Sequence, residues 1–485
     1  MSAPRVVVIG AGFAGLAAAL HLTAAGARVT LIEREPRSGG KAGSWRAEGF
    51  RFDTGPTVLT MPHVIEATFA AVGRPCTVEM APSVAGTRYR FASGRVWDVG
   101  PDLERTVASL APSDADAYRR ALTRARALYE AAAPTFVHGP APGLRALMAY
   151  ALRHGAAASP GSRLPDLLES LGVRGDLRTF FLRFATYFGA DPFRAPAVLH
   201  NIAWVELGLG TRHVRGGLHA VARALEAALV DLGADVRHGC AARRVGARGG
   251  RVREVVTDSG EIAANAVVLA VDRRAAMTML GRPLGPEREP SLSGLVRLVG
   301  VRGVDDRLAQ HTVLFPETYE REFLDLRAGR HPRDPTLYLS ISSRSDPDDA
   351  PVGHENRFVM ANAPALPTST PATESEERAQ AGREAMHAAM TRHGFDPAAG
   401  VVVERWETPA TFAAFGHRGS LYGDAPHGVL AALRAPNRVR ALPDVALAGG
   451  TVHPGGGVPL ALLSGRQAAL VVARRLGLPL AVWTA

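Results

Sequence analysis

Residues 5–35 read RVVVIGAGFAGLAAALHLTAAGARVTLIERE, and this stretch decides the fold. Val6–Ile9 is a continuous apolar run, the pattern of a parallel strand buried on both faces. Gly10, Gly12 and Gly15 follow as G-x-G-x-x-G, with Phe13 and Ala14 between the last two glycines. Leu16–Ala25 has helical periodicity and stops near Gly26. A second buried strand, RVTLIE, ends on Glu33, with Arg34 next. Strand, glycine turn, helix, strand and acid in this order form a dinucleotide-binding unit. Gly10 permits the tight turn, Gly12 lets a pyrophosphate approach the backbone, and Gly15 allows close packing of helix on strand. The helix N-terminus supplies free N–H groups and the positive end of its dipole. Glu33 lies about 20 residues on, where a carboxylate accepts hydrogen bonds from a ribose 2′-OH and repels a 2′-phosphate, which disfavours NADP.

Composition bounds the rest. The 485 residues suit two or three domains, and 47% hydrophobic with 21% charged residues is ordinary for a folded soluble protein. The net charge of +10 comes from scattered arginines without a basic run, so nucleic-acid binding is not expected. It fits a surface biased towards an anionic membrane face. Cys76 and Cys240 form no C-x-x-C pair and read as apolar core residues, with neither a disulfide nor a metal site implied. No apolar run reaches the roughly 18 residues of a membrane span, and no secretory signal precedes the first strand. A cytoplasmic protein lying against the membrane is the expectation.

After Glu33 the chain does not continue with further strand–helix units, as NAD-dependent dehydrogenases usually do. It reads REPRSGGKAGSW at 34–45 and GFRFDTGPTVLTMP at 49–62. Gly39 and Gly40 would let a loop pass against a cofactor without Cβ contacts. Lys41 follows them and is the only lysine of the chain, placed to meet a pyrophosphate or to cover the loop with its stem. Asp53, Gly55 and Pro56, with Thr57 after them, form a D-x-G-P turn. Near the C-terminus, DVALAGG at 444–450 reads as a strand ending on Gly449 and Gly450. TVHPGGGVP at 451–459 is a turn containing His453, Gly457 and Val458, and a helix follows. The N-terminus of that helix would stabilise negative charge on a group placed before it.

The succession of nucleotide turn, acid, GGK and DTGP resembles the flavin-containing amine oxidase and phytoene desaturase superfamily. DTGPTVLTMP at 53–62 and LAGGTVHPGGGVPLALLSGRQAA at 447–469 resemble the bacterial carotenoid desaturases, closest to the 1-hydroxycarotenoid (methoxyneurosporene) 3,4-desaturase branch. TRHVRGGLHAVARALEAALVDLGADV at 211–236 resembles the family's second flavin-domain segment, whereas about 90–205 and 286–440 match only loosely. The resemblance implies an α/β fold. A discontinuous Rossmann-type FAD-binding domain (1–85, 210–285 and 440–485) would carry an inserted mixed α+β substrate domain and a helical membrane-associated part (86–209 and 286–439). It places Gly10, Gly12, Phe13, Ala14, Gly15, Glu33, Arg34, Gly40, Lys41, Gly55, Pro56, Thr57, Gly450, Gly457 and Val458 around FAD. Val245 would take the position whose backbone contacts adenine, or be a plain strand valine.

The implied reaction removes a hydride to flavin N5 and a proton from a C–C bond beside a polyene. The intermediate allylic cation is delocalised, so little acid–base machinery is needed. His453 would take the proton or hold the ring, or be a loop histidine bonded to backbone. Asp53 would be a base or a turn-forming carboxylate, and Arg215 would meet the pyrophosphate or lie exposed. The electron acceptor would be oxygen or a quinone. A C40 polyene is comparable in length to the roughly 30 Å hydrocarbon core of a bilayer. An apolar tunnel is therefore expected, with peripheral association to the inner membrane. Residues 177–210 would line it, dip into the interface, or form a buried helix pair, and 120–136 would join the lid. Rival readings are a phytoene desaturase, a carotenoid isomerase, an amine or protoporphyrinogen oxidase and, from another class, a non-catalytic prenyl or lipid escort protein.

Overall fold

The structure, a computed structural model, describes residues 3–83, 86–155, 161–369, 372–428 and 433–481. Its nucleotide-type sheet has five parallel strands in the order Asp235–Arg237, Arg28–Ile32, Arg5–Ile9, Ala266–Leu269 and Val445–Leu447. Three distant parts of the chain thus build one sheet. The first strand is central, and its alternate residues enter two different cores. Val6 and Val8 pack with the helices Phe13–Ala24, Leu218–Asp231 and Val458–Leu476 on one face. Val7 and Ile9 pack on the other face with Val245, Val252 and Val255 of a three-stranded antiparallel sheet, Ala242–Arg248, Arg251–Thr257 and Gly260–Ala263. Burial on both faces is the physical origin of the unbroken VVVI run.

The first helix starts at Phe13, three residues before the first periodic residue, because Gly12 is its N-cap in an extended conformation (φ −72°, ψ 177°). Its small residues let the last helix lie close. A Cβ at Gly465 would stand 2.2 Å from the Ala14 carbonyl oxygen and 2.9 Å from the Ala17 Cβ.

A second sheet has seven strands, in the order Val401–Glu407, Ser293–Arg302, His354–Ala363, Leu337–Ser340, His311–Leu314, Thr87–Arg90 and Val96–Val99. All neighbours are antiparallel except His311–Leu314 beside Thr87–Arg90. The helices Pro112–Phe136, Leu164–Ser170, Gly175–Arg183 and Asn201–Leu207 gather near its Thr87–Val99 end. Their core joins Phe180, Phe181 and Phe184 to Tyr89 and Trp97, with Phe180 4.8 Å from the Trp97 ring. The segment 177–210 is therefore largely interior, and many of its residues also line the cavity of the candidate active site, so the buried-helix and tunnel-lining alternatives of the sequence reading both hold. Residues 120–136 belong to the helix Pro112–Phe136. Helix Leu144–His154 differs from all of these in having no buried residue. Among the described residues no helix is long and apolar enough to cross a membrane, and no cluster of His, Cys, Asp and Glu could hold a metal ion. Both cysteines are free.

Candidate active site

The glycine turn shows why each glycine stands where it does. Gly10 has φ +98°, and a Cβ there would fall 2.7 Å from the Ala270 carbonyl oxygen. A Cβ at Gly15 would fall 1.8 Å from the Gly10 oxygen. These two are demanded by the protein itself. At Gly12 a Cβ would meet nothing within 4 Å, so the space in front of it is open. No side chain caps the helix behind it, which leaves N–H groups and the dipole end directed at that space. Gly40 closes over the turn, its Cβ position 3.3 Å from the Gly12 Cα, and Gly39 N donates to Ala11 O at 2.9 Å. Glu33 is 8% exposed at the end of its strand. Its Oε2 accepts from Ala11 N at 2.7 Å and its Oε1 from Glu35 N at 3.0 Å. Arg34 reaches the Ala414 carbonyl and lies 5.9 Å from the Phe415 ring.

Lys41 ties three parts together. A Cβ at Gly55 would stand 1.9 Å from its carbonyl oxygen, so the GGK and DTGP loops touch here. Its Nζ donates to Leu421 O at 2.5 Å. Burial lowers its pKa to about 8, opposed by the charge of Asp272. The partner of the ammonium is a carbonyl from a segment 380 residues away.

From this junction a cavity of 660 Å³ opens, within the range of small-molecule sites. Gly55, Pro56 and Thr57 line it, and so do Pro454, Gly456, Gly457 and Val458. Beyond them the lining is mostly apolar and aromatic, with Phe136, Tyr187, Phe188, Leu199, Ile202 and Val205 among it. Gly457 (φ +105°) is the uncapped N-cap of the helix Val458–Leu476, so a second positive dipole end faces the cavity. Thr57 Oγ1 and Tyr338 Oη hydrogen-bond at 2.9 Å, and Tyr338 Oη also meets His311 Nδ1 at 2.9 Å. Behind Thr336 and Asn362 of the wall lies Glu322, which accepts from Asn362 Nδ2 at 2.8 Å and from Thr336 N at 3.0 Å. Burial raises its carboxyl pKa to about 7.

An open glycine cradle before one helix, a carboxylate at a strand end, and a second glycine loop before another helix fit a dinucleotide bearing a planar ring. Comparison with known proteins decides which. Residues 13–473 match the family model described as flavin containing amine oxidoreductase. The chain belongs to this family. It is 36% identical to a phytoene dehydrogenase of Streptomyces griseus over 96% of this chain and 94% of that one. It is 34% identical to a hydroxyneurosporene desaturase of Cereibacter sphaeroides, over 96% and 97%. A solved structure of cyclohexylamine oxidase from Brevibacterium oxydans shares its fold, with a TM-score of 0.62 at 19% identity over 98% of this chain and 100% of that one. The chain thus belongs with the carotenoid desaturase family and is an FAD-dependent oxidoreductase.

Other residues of the desaturase singled out from sequence lie as follows. His453 is 3% exposed, and its Nε2 hydrogen-bonds Gly139 O at 3.0 Å. Burial lowers its pKa, so the ring is neutral, and it is the next residue, Pro454, that lines the cavity. Gly450 packs on the second loop, its Cβ position 3.2 Å from the Gly456 Cα. Val245 pairs with Val255 in an edge strand and puts its side chain into the core. Asp53 does not reach the large cavity but joins Arg51 and Asp349 in a buried ion cluster. Arg215 is exposed and pairs with Glu79 at 3.4 Å. Of the wall residues, Tyr338 was not found by sequence reasoning, and Arg183 and Glu206 were covered only as members of the segment 177–210 without being singled out. The one available signal was Arg183 itself, the single charge within TFFLRFATYF at 179–188.

Proposed function

We propose that this desaturase introduces the 3,4 double bond into a 1-hydroxycarotenoid. The observation that carries the reading is the 660 Å³ cavity, lined by residues of the two glycine loops and mostly by apolar and aromatic side chains, which suits a hydrocarbon. The hydroxyneurosporene desaturase among its relatives supports a hydroxylated substrate. When bound, FAD supplies a two-electron acceptor. The chain's own part is placement. Gly12, Gly40 and the N-terminus of the first helix would hold the pyrophosphate, and Glu33 the ribose. Lys41 would brace the loop that carries Gly55, Pro56 and Thr57. Gly450, Gly457 and Val458 would lie along the ring, with the last helix directing its positive end there. The apolar walls keep water from the reacting carbons. Charge left on a polyene spreads over its conjugated system, so a strong base at the wall is unnecessary. His453 then acts through its Gly139 contact, fixing the loop before Pro454. The reduced enzyme would pass its electrons to oxygen or a quinone.

Cells producing 1-hydroxyneurosporene, lycopene or phytoene separately test this reading when they express the chain. Conversion of the hydroxylated carotenoid to its 3,4-didehydro product is expected. Desaturation of phytoene alone would move the enzyme to the phytoene desaturases.

Access from a membrane belongs to the same proposal. Leu144, Met148 and Leu152 on helix Leu144–His154 are 75%, 57% and 86% exposed, and their four-residue spacing puts them on one face. Leu147, Tyr150 and Ala151 of this helix line the cavity. Arg145 and Arg153 add positive charge for anionic headgroups. The helix would rest in the cytoplasmic leaflet of the inner membrane with the cavity beneath it. In flotation with anionic vesicles, the double variant Met148→Glu, Leu152→Glu should lose most of its bound fraction and keep its flavin. Equal flotation of variant and wild type would dismiss this surface.

A further inference from the structure

Most polar groups on the cavity wall are paired. Tyr338 bonds Thr57 and His311, and Thr336 and Asn362 bond Glu322. Among the described residues, four buried wall atoms have no hydrogen-bond partner: Arg183 Nε, Glu206 Oε2, Tyr319 Oη and Tyr150 Oη. Tyr150 belongs to the exposed helix Leu144–His154. The other three lie deep.

Arg183 is 5% exposed. Its Nη2 meets Tyr89 Oη at 2.7 Å and Glu206 Oε1 at 3.2 Å, and its Nη1 meets Tyr187 Oη at 2.8 Å. Its guanidinium lies 4.8 Å from the Phe184 ring centroid. The pair is therefore held at fixed positions, with the Glu206 carboxylate also facing the Tyr187 phenol, yet Arg183 Nε and Glu206 Oε2 are left without a hydrogen-bond partner. Burying an ion pair is costly, and leaving donors and acceptors unmade adds to the cost. A pure hydrocarbon in the cavity would satisfy neither. A hydroxyl would: its O–H donates to a carboxylate oxygen while its lone pairs accept from Arg183 or from the Tyr319 phenol.

The place fits as well. In a 1-hydroxycarotenoid three bonds separate the oxygen from carbon 3. At roughly 1.5 Å per bond, the hydroxyl lies less than about 4.5 Å from the bond to be desaturated. Groups that recognise it must stand at the reacting end of the cavity. Tyr338, bonded to Thr57 of the D-x-G-P turn, is within electrostatic reach of both Arg183 and Glu206. Tyr319 is within reach of Arg183.

We propose that Arg183, Glu206 and Tyr319 form the subsite that binds the carbon-1 hydroxyl and so set which carotenoid end is desaturated. This rests on the proposed 1-hydroxycarotenoid substrate. The test titrates the purified holoenzyme in detergent with 1-hydroxyneurosporene and with neurosporene, reading protein fluorescence quenching. Wild type should prefer the hydroxylated ligand by about tenfold or more, the worth of a hydrogen bond to a charged group. In Glu206→Gln and in Tyr319→Phe, both close in shape to the native residues, the preference should fall towards one. A purely structural role would weaken both ligands alike and leave the ratio unchanged. Variants that hold flavin and keep the wild-type ratio would overturn the subsite while leaving the substrate reading intact. A wild-type ratio of one, with equal desaturation of both compounds, would overturn the substrate reading and the subsite with it.

Discussion

A Gly12→Val variant is expected to purify folded but colourless, with FAD retention weakened about a hundredfold or more. The backbone at Gly12 (φ −72°, ψ 177°) is open to any L-residue, and a Cβ there meets nothing within 4 Å. The fold therefore has no objection to valine. The cofactor has: the added side chain stands where a pyrophosphate must approach the N–H groups of the first helix. Overpacking costs about 1–3 kcal/mol and lost charge-assisted hydrogen bonds as much again, and each 1.4 kcal/mol is tenfold. Gly15→Val should behave differently. Its Cβ would fall 1.8 Å from the Gly10 oxygen and 3.1 Å from the Ala270 Cβ, so the strand–helix contact must open and the protein should fail to fold. Flavin absorbance per protein, read beside a circular dichroism melt, separates the two. A yellow Gly12→Val protein at wild-type stoichiometry would remove Gly12 from the cofactor site.

What the sequence disclosed, and what it hid, divides along physical lines. The first strand, the glycine turn and Glu33 are adjacent in sequence and in space, so local pattern sufficed. The loop 37–62 was legible for a related reason: Gly40 and Gly55 contact Gly12 and Lys41, all within one short stretch of chain. The wall of the cavity was legible only where it comes from the stretch 177–210; Tyr319 and Tyr338 were not, because no local rule brings them to it. Membrane-facing surface was misleading for another cause. Residues 177–210 and 144–154 are both apolar with interspersed arginines. Phe180 and Phe181 find Tyr89, Trp97 and Tyr118 in the interior, whereas Leu144 and Leu152 find nothing. Apolarity states that a residue will be covered, and only packing states by what. Lys41 shows the same limit. Its position beside the cofactor loops was readable, but its carbonyl partner on Leu421 was not.

Arg51→Met should cost about 3–5 kcal/mol of stability, the largest loss among the variants expected to fold, as expected when one partner of a buried ion cluster is removed. Arg51 is 1% exposed and joins Asp53, at 3.1 Å, to Asp349. Asn356 Nδ2 donates to the Arg51 carbonyl at 2.6 Å, and Gly217 must lack a Cβ because one would stand 2.2 Å from Arg51 Nη1. The cluster thus fastens the strand Phe50–Asp53, just before the D-x-G-P turn, to segments of the second sheet's surroundings. Its pH behaviour distinguishes lost charge pairing from lost packing. Burial raises the Asp53 pKa from 3.8 to about 6, although Arg51 pulls it down. A carboxyl whose folded pKa is raised binds more protons folded than unfolded, so its contribution is full below the unfolded pKa and is lost as pH rises through the folded one. In the wild type that loss falls between about pH 4 and 6. Without Arg51 the folded pKa climbs further and the loss extends above pH 6. Urea unfolding of the variant should therefore show a larger deficit against wild type at pH 8 than at pH 5. A deficit that is equal at both pH values would mean that Arg51 serves by packing its stem, and that charge pairing with Asp53 and Asp349 contributes nothing.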